Sequence, residues 1–177
     1  MDVMLDLETL STVPNSVILT FGAVKFSPWD GDVDQGQGLY YRLDVDEQLQ
    51  LNRHVYQGTV DWWSTQPEEI REEALGEDGR ISLEKFCNDL NRFLVGIDNI
   101  WAQGPAFDIV ILEDLYRQLG RPIPWNFWQI RDSRTLFSVH GDPRKKDRLG
   151  AHNALIDCYY QARAVQHIYK SVGIQKR

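Results

Sequence analysis

The chain has 177 residues, 42 % of them hydrophobic and 25 % charged, which suits a single globular domain spanning residues 1–177. No apolar run is long enough to span a bilayer, and no basic flank precedes the first apolar residues, so a membrane protein and a secreted one give way to the expectation of a cytoplasmic protein. The formal net charge of −7 speaks against nucleic-acid binding through a basic face, with one exception: an enzyme that gathers carboxylates to hold divalent cations is acidic until those cations bind.

In chain order, residues 3–7 read as a short apolar strand. Residues 15–26 read as a second strand, with Gly22 marking a bulge or a close approach of another backbone. A turn-rich stretch at 28–38 leads into a third strand over 39–45. Thr59 is expected to cap a helix containing Trp62 and Trp63, and Pro67 to open a second helix with acids in its first turn. A loop follows at 76–79. Ser82 then caps a helix whose apolar face carries Leu83, Phe86, Cys87, Leu90, Phe93 and Leu94. Residues 99–102 form a buried strand, 107–119 a helix ended by Gly120, 128–131 another strand, and 153–169 the last long helix. Three early strands followed by alternating helices and strands predict an α/β domain built on a mixed sheet flanked by helices. Cys87 and Cys158 lack metal spacing and fall on apolar helix positions, so both are read as buried free thiols.

The chemistry-bearing residues are spread along this scheme. Asp6 and Glu8 lie two apart on the first strand, so their carboxylates share one face while Leu5 and Leu7 take the other. Two acids on an apolar strand are costly unless paired, and oxygen ligands suit Mg²⁺ or Mn²⁺; the bland reading is a solvated strand end. Asp108 follows a Gly-Pro turn at a helix start, where an anion is favoured; taken alone it is an ordinary first-turn acid. His152 precedes a helix capped by Asn153, with Asp157 five residues on, which sets an imidazole beside a fixed carboxylate. A loop histidine without a role is the competing reading there, as it is for His140.

Together, Asp-x-Glu on the first strand, an Asp after a strand–helix turn, and His-x4-Asp opening the last helix resemble the DEDDh (DnaQ-like) 3′–5′ exonuclease superfamily. The resemblance is carried by LDLETLST, WAQGPAFDIVIL and AHNALIDCYYQA, and is nearest to the phage and bacterial branch of RNase AS-like exoribonucleases, which DWWSTQ and RDSRTL also resemble. It implies a ribonuclease H-like fold, with three antiparallel strands followed by parallel ones. It further implies Asp6, Glu8, Asp108 and Asp157 as metal ligands and His152 as general base. Two Mg²⁺ (or Mn²⁺) ions about 4 Å apart would bind attacking water and leaving oxygen together. The expected products are 5′-mononucleotides, released from 3′ ends of single-stranded RNA or from 3′ overhangs.

The same resemblance places Leu7, Thr9 and Leu10 near the terminal nucleotide, although core packing is the better reading of Leu7. Trp62 and Trp63 cannot share one helix face; one in the core with the other stacked on a base is one reading, and core packing of both is the competing one. Arg131, Arg134, Arg144, Lys145, Lys146 and Arg148 are candidates for phosphate contacts, with a solvated basic loop the competing reading for the last four. Members of the superfamily often form homodimers, and a homodimer of this chain could bring basic residues across a two-fold axis. Single-stranded DNA stays open because no residue reads a 2′-OH unambiguously, and short oligonucleotides because the catalytic residues would be the same; a catalytically silent nucleic-acid-binding role predicts a missing ligand, and all four acids and the histidine are present.

Overall fold

The structure is a computed structural model that describes residues 1–144 and 152–176. Strand β1 (Asp2–Thr9) organises it. It pairs antiparallel with β2 (Ile18–Phe26) and parallel with β5 (Ile100–Ala102). Outward from this centre, β3 (Leu39–Leu43) pairs antiparallel with β2, β4 (Arg80–Ile81) parallel with β3, and β6 (Ile130–Asp132) parallel with β5. The six-stranded sheet therefore runs β4-β3-β2-β1-β5-β6, the mixed order expected of a ribonuclease H-like domain.

Alternation along β1 divides the core in two. Val3, Leu5 and Leu7 pack with α4 (Leu83–Phe93) and α5 (Asp108–Gln118) in one apolar cluster, which includes Phe86, Leu90, Leu112 and Tyr116. Met4 faces the opposite side and packs with α7 (Ala154–Ser171) through Cys158, Ala162 and Val165. Asp6 and Glu8 continue the Met4 face, so the strand's own period aims both acids toward the start of α7. Both cysteines are buried free thiols.

Gly22, directly across from Asp6 on β2, decides how near α7 comes. A Cβ there would sit 2.3 Å from the carbonyl carbon of Ala154 and 2.4 Å from the amide nitrogen of Leu155. Gly22 thus serves a close backbone approach, while the register irregularity lies between Glu8 and Thr9. Gly22→Ala should cost about 3 kcal/mol, because backbone rather than a movable side chain stands in the way. Chemical denaturation checks this, and a loss below about 1 kcal/mol would mean that α7 can be displaced cheaply.

Several boundaries differ from the sequence-based expectation for local reasons. The third strand ends at Leu43, two residues before its expected end, and residues 45–50 form α1 (Val45–Gln50), because Asp44 accepts the Glu47 amide as a helix cap. From α1, the buried Gln48 side chain both accepts from Ile18 N–H and donates to Ile18 O, so an amide replaces a ladder neighbour where β2 begins. Helix α2 (Gln57–Ser64) starts two residues before Thr59, with Tyr56 at its cap and no side-chain cap bond. Pro67 occupies the cap position of α3 (Glu68–Leu75). Ser82 caps α4 as expected, accepting from Lys85 N–H. Residues 127–129 are a 3-10 turn before β6 rather than strand, and Asp132 then caps α6 (Ser133–His140), which places His140 on a helix end instead of a loop. No helix among the described residues is long and apolar enough to cross a membrane.

Candidate active site

Three carboxylates meet where β1 faces the first turns of α7. One oxygen each from Asp6, Glu8 and Asp157 can be chosen so that all lie within 4.8 Å of one another. Asp6 and Glu8 are half-buried; Asp157 is 6 % exposed. The α7 cap fixes Asp157: the Asn153 carboxamide accepts the amides of Leu155 and Ile156, which holds the first turn and sets Asp157 toward the strand. This all-oxygen donor set fits a hard divalent cation such as Mg²⁺ or Mn²⁺.

Asp108 stands slightly apart from the three. It is the first residue of α5, is 4 % exposed, and accepts the Leu7 amide at 3.2 Å, which ties α5 to β1 beside the acid pair. Burial pushes its carboxyl up to about 7, while the amides of Leu7 and Asp108 and the nearby Arg134 guanidinium pull the other way. Asp108 and the three clustered acids line one pocket of about 300 Å³, together with His152.

His152 takes a left-handed backbone conformation, with φ of 67°. That turn directs its amide onto Asp157 Oδ2 at 3.0 Å. Its imidazole meets the Trp62 ring edge-on at 5.1 Å between centroids and lies 6.5 Å from Trp63. The two tryptophans divide as their spacing requires: Trp63 is 1 % exposed and donates Nε1–H to Thr9 O at 3.0 Å, while Trp62 is 41 % exposed at the pocket rim beside the histidine.

The remaining sequence candidates fall in different places. Leu7 packs its side chain in the core and meets the pocket through its backbone. Thr9 is buried, its hydroxyl donating to Ser11 O at 2.6 Å, and Leu10 packs with Val17, Leu19 and Trp63; neither lines the pocket. Arg134 does line it, held by a bond from Nη2 to Gln103 O. Arg144 also lines it, paired with Asp142 and lying over the Phe137 ring. Arg131 is turned back onto the carbonyls of Trp128, in the 3-10 turn, and Ile130, on β6, and lies outside the pocket lining. Lys145, Lys146 and Arg148 lie outside the described residues. Sequence reasoning missed Gln103, Phe107 and Gln161, all of which line the pocket. Of these, Gln161 had a readable signal, one helical turn beyond Asp157 on the same face of α7.

The electrostatics of the cluster has a consequence for folding. Burial, then the carboxylates of Asp6, Asp157 and Asp108, push Glu8 well above its ordinary 4.5. A group whose folded pKa is raised contributes stability that is fully present below the unfolded value and lost as pH climbs toward the folded one. With metal chelated, Glu8→Gln should therefore unfold at least about 2 °C higher than the unaltered protein at pH 8, and the gap should close near pH 4. Calorimetry in chelator measures this, and equal unfolding temperatures at pH 8 would show that the carboxylates do not repel.

Carboxylates converging beside a histidine, on the central strand of a mixed sheet, define a class of hydrolase suited to phosphodiesters. The model of the 3′–5′ exoribonuclease Rv2179c-like domain matches residues 1–169, and the chain belongs to that family. It is thus a 3′–5′ exonuclease acting on nucleic acid, and the metal dependence of such enzymes accords with the carboxylate cluster. An exodeoxyribonuclease of Enterobacteria phage T4 is 25 % identical over 158 residues, a match covering 76 % of this chain and 69 % of the phage protein. Among solved structures, cell-death related nuclease 4 (CRN-4) superposes with a TM-score of 0.64 at 16 % identity, over 96 % of this chain and 64 % of that one. Exonuclease X in complex with 5′ overhanging duplex DNA superposes with a TM-score of 0.54 at 18 % identity, over 99 % and 95 % of the two chains. At those identities the two likenesses establish the shared fold.

Proposed function

We propose that this enzyme removes 5′-mononucleotides one at a time from the 3′ end of single-stranded RNA or a 3′ overhang. The observation that carries the reading is the convergence of Asp6, Glu8 and Asp157 in one pocket with Asp108 and His152. Asp6, Glu8 and Asp157 would hold one Mg²⁺ or Mn²⁺, and Asp108 with Asp6 would share a second. When bound, the two ions would lower the pKa of attacking water and stabilise the departing 3′-oxygen.

The protein's own residues supply the rest. The imidazole of His152 takes the proton from the attacking water, and the left-handed turn anchored on Asp157 keeps the ring at the pocket. Arg134 and Arg144 offer cationic contacts to the phosphate chain. Trp62, half uncovered beside His152, offers its face to a base, a contact worth about 1–3 kcal/mol per stacked base.

RNA is favoured by the family's description as exoribonucleases. A second reading, single-stranded DNA, is favoured by the exodeoxyribonuclease of phage T4 and by the duplex-DNA complex of exonuclease X. Matched 5′-end-labelled RNA and DNA strands of one sequence, single-stranded and with 3′ overhangs, decide between them in Mg²⁺ and in Mn²⁺. A ladder that shortens faster on RNA supports the first reading; faster loss of DNA transfers the proposal to the second.

A further inference from the structure

On α7, Gln161 lies one turn beyond Asp157 and is 3 % exposed. Its Nε2–H donates to Asp6 Oδ1 at 3.0 Å. Its other polar atom, Oε1, is buried without a hydrogen-bond partner among the described residues. The amide cannot be turned over to relieve this, since Oε1 would then face the Asp6 carboxylate. A buried acceptor left unmade is costly, and an apolar side chain of similar volume would fill the same place on α7 without that cost. What the glutamine adds over such a side chain is the bond it makes among the described residues, and that bond ends on a carboxylate of the acid cluster.

We infer that Gln161 is a positioning residue of the metal site, restraining Asp6 through Oδ1 so that the carboxylate meets Glu8 and Asp157 in a ligating arrangement. The inference rests on the metal-binding reading of the cluster given above. The restraint has a direct physical logic. Asp6 sits among like charges, and without cations repulsion favours its swinging away from Glu8 and Asp157. A donor from α7, the same helix that carries Asp157, opposes that swing and couples the two acids through one rigid element. Outer partners of this kind typically contribute 10–100-fold in metal affinity.

The test is calorimetric titration of the metal-stripped protein with Mn²⁺ alone, on the unaltered chain, Asp6→Asn, Gln161→Leu, Gln161→Met and Gln166→Leu. Gln166 holds the loop carbonyl of Ser27 far from the cluster and serves as a control for generic damage to α7. Binding by the unaltered chain and its loss in Asp6→Asn establish the metal reading on its own. Gln161→Leu and Gln161→Met should then bind Mn²⁺ about 10–100-fold more weakly, with Gln166→Leu unchanged. Their lost exonuclease rate should return as Mn²⁺ is raised, with KM for the nucleic acid held constant. Two Gln161 variants are used so that a folding failure in one leaves the other to decide. Affinity within about twofold of the unaltered chain in a folded Gln161 variant overturns the positioning role and leaves the metal reading standing. Failure of the unaltered chain to bind Mn²⁺ overturns both.

Discussion

Asp6→Asn should lower the rate of 3′-terminal nucleotide release by at least about 10³-fold while the folded protein persists. Asparagine keeps the shape of the side chain and an oxygen able to accept from Gln161, so packing against α7 is retained. What is lost is one negative charge inside the cluster: Asp6 meets Glu8 along β1 and Asp157 across from α7. A hard divalent cation needs close charge compensation, and an amide oxygen gives a fraction of it. Single-turnover assays on end-labelled RNA, with circular dichroism as the control for folding, measure the effect. A folded Asp6→Asn protein retaining more than a tenth of the rate would place the reaction elsewhere.

The second large effect falls on His152. Replacement by asparagine should reduce kcat by about 10²- to 10⁴-fold, the usual contribution of a general base, and leave Mn²⁺ affinity close to that of the unaltered protein. Asparagine is the informative choice because position 152 has a φ of 67°, which asparagine tolerates better than most residues, so its amide can still reach Asp157. The two variants separate in one experiment: Asp6→Asn loses metal and rate, His152→Asn loses rate alone. A His152→Asn protein that loses metal binding as well would make the histidine a structural support of Asp157 instead of a proton acceptor.

Much of this was legible in the sequence because it obeys short periods. The spacing of Asp6 and Glu8 put both acids on one face of β1, and the run of apolar residues around them marked that strand as central. Asn153 announced the start of α7 and with it the position of Asp157. Helix geometry alone put Trp62 and Trp63 on different faces, while the fold decided that Trp63 is the buried one. Elements shorter than about two turns were harder to read. Helix α1 begins directly after β3, and its Asp44 cap is equally at home at a strand end. Helix α6 hides behind Asp132, which ends β6 and caps the helix with the same side chain.

Contacts between distant segments left no periodic trace. The bond from Leu7 N–H to Asp108 spans 101 residues, and that from Gln161 to Asp6 spans 155. Nothing local distinguishes Thr9 and Leu10 as buried neighbours of the pocket from the substrate-facing residues that their place after Glu8 suggested. Their burial comes from Trp63 and from the Ser11 carbonyl, which the fold brings over them. Arg134 and Arg131 look alike in sequence, three residues apart; the turn from β6 into α6 sends one to Gln103 at the pocket and folds the other onto its own strand.

Anomalous diffraction from crystals soaked with Mn²⁺ and a 5′-mononucleotide would locate the metal. Manganese peaks bounded by Asp6, Glu8 and Asp157, with a second near Asp108, are expected if this pocket holds the metal. Peaks confined to other carboxylates, in a crystal whose protein degrades RNA on dissolution, would contradict it.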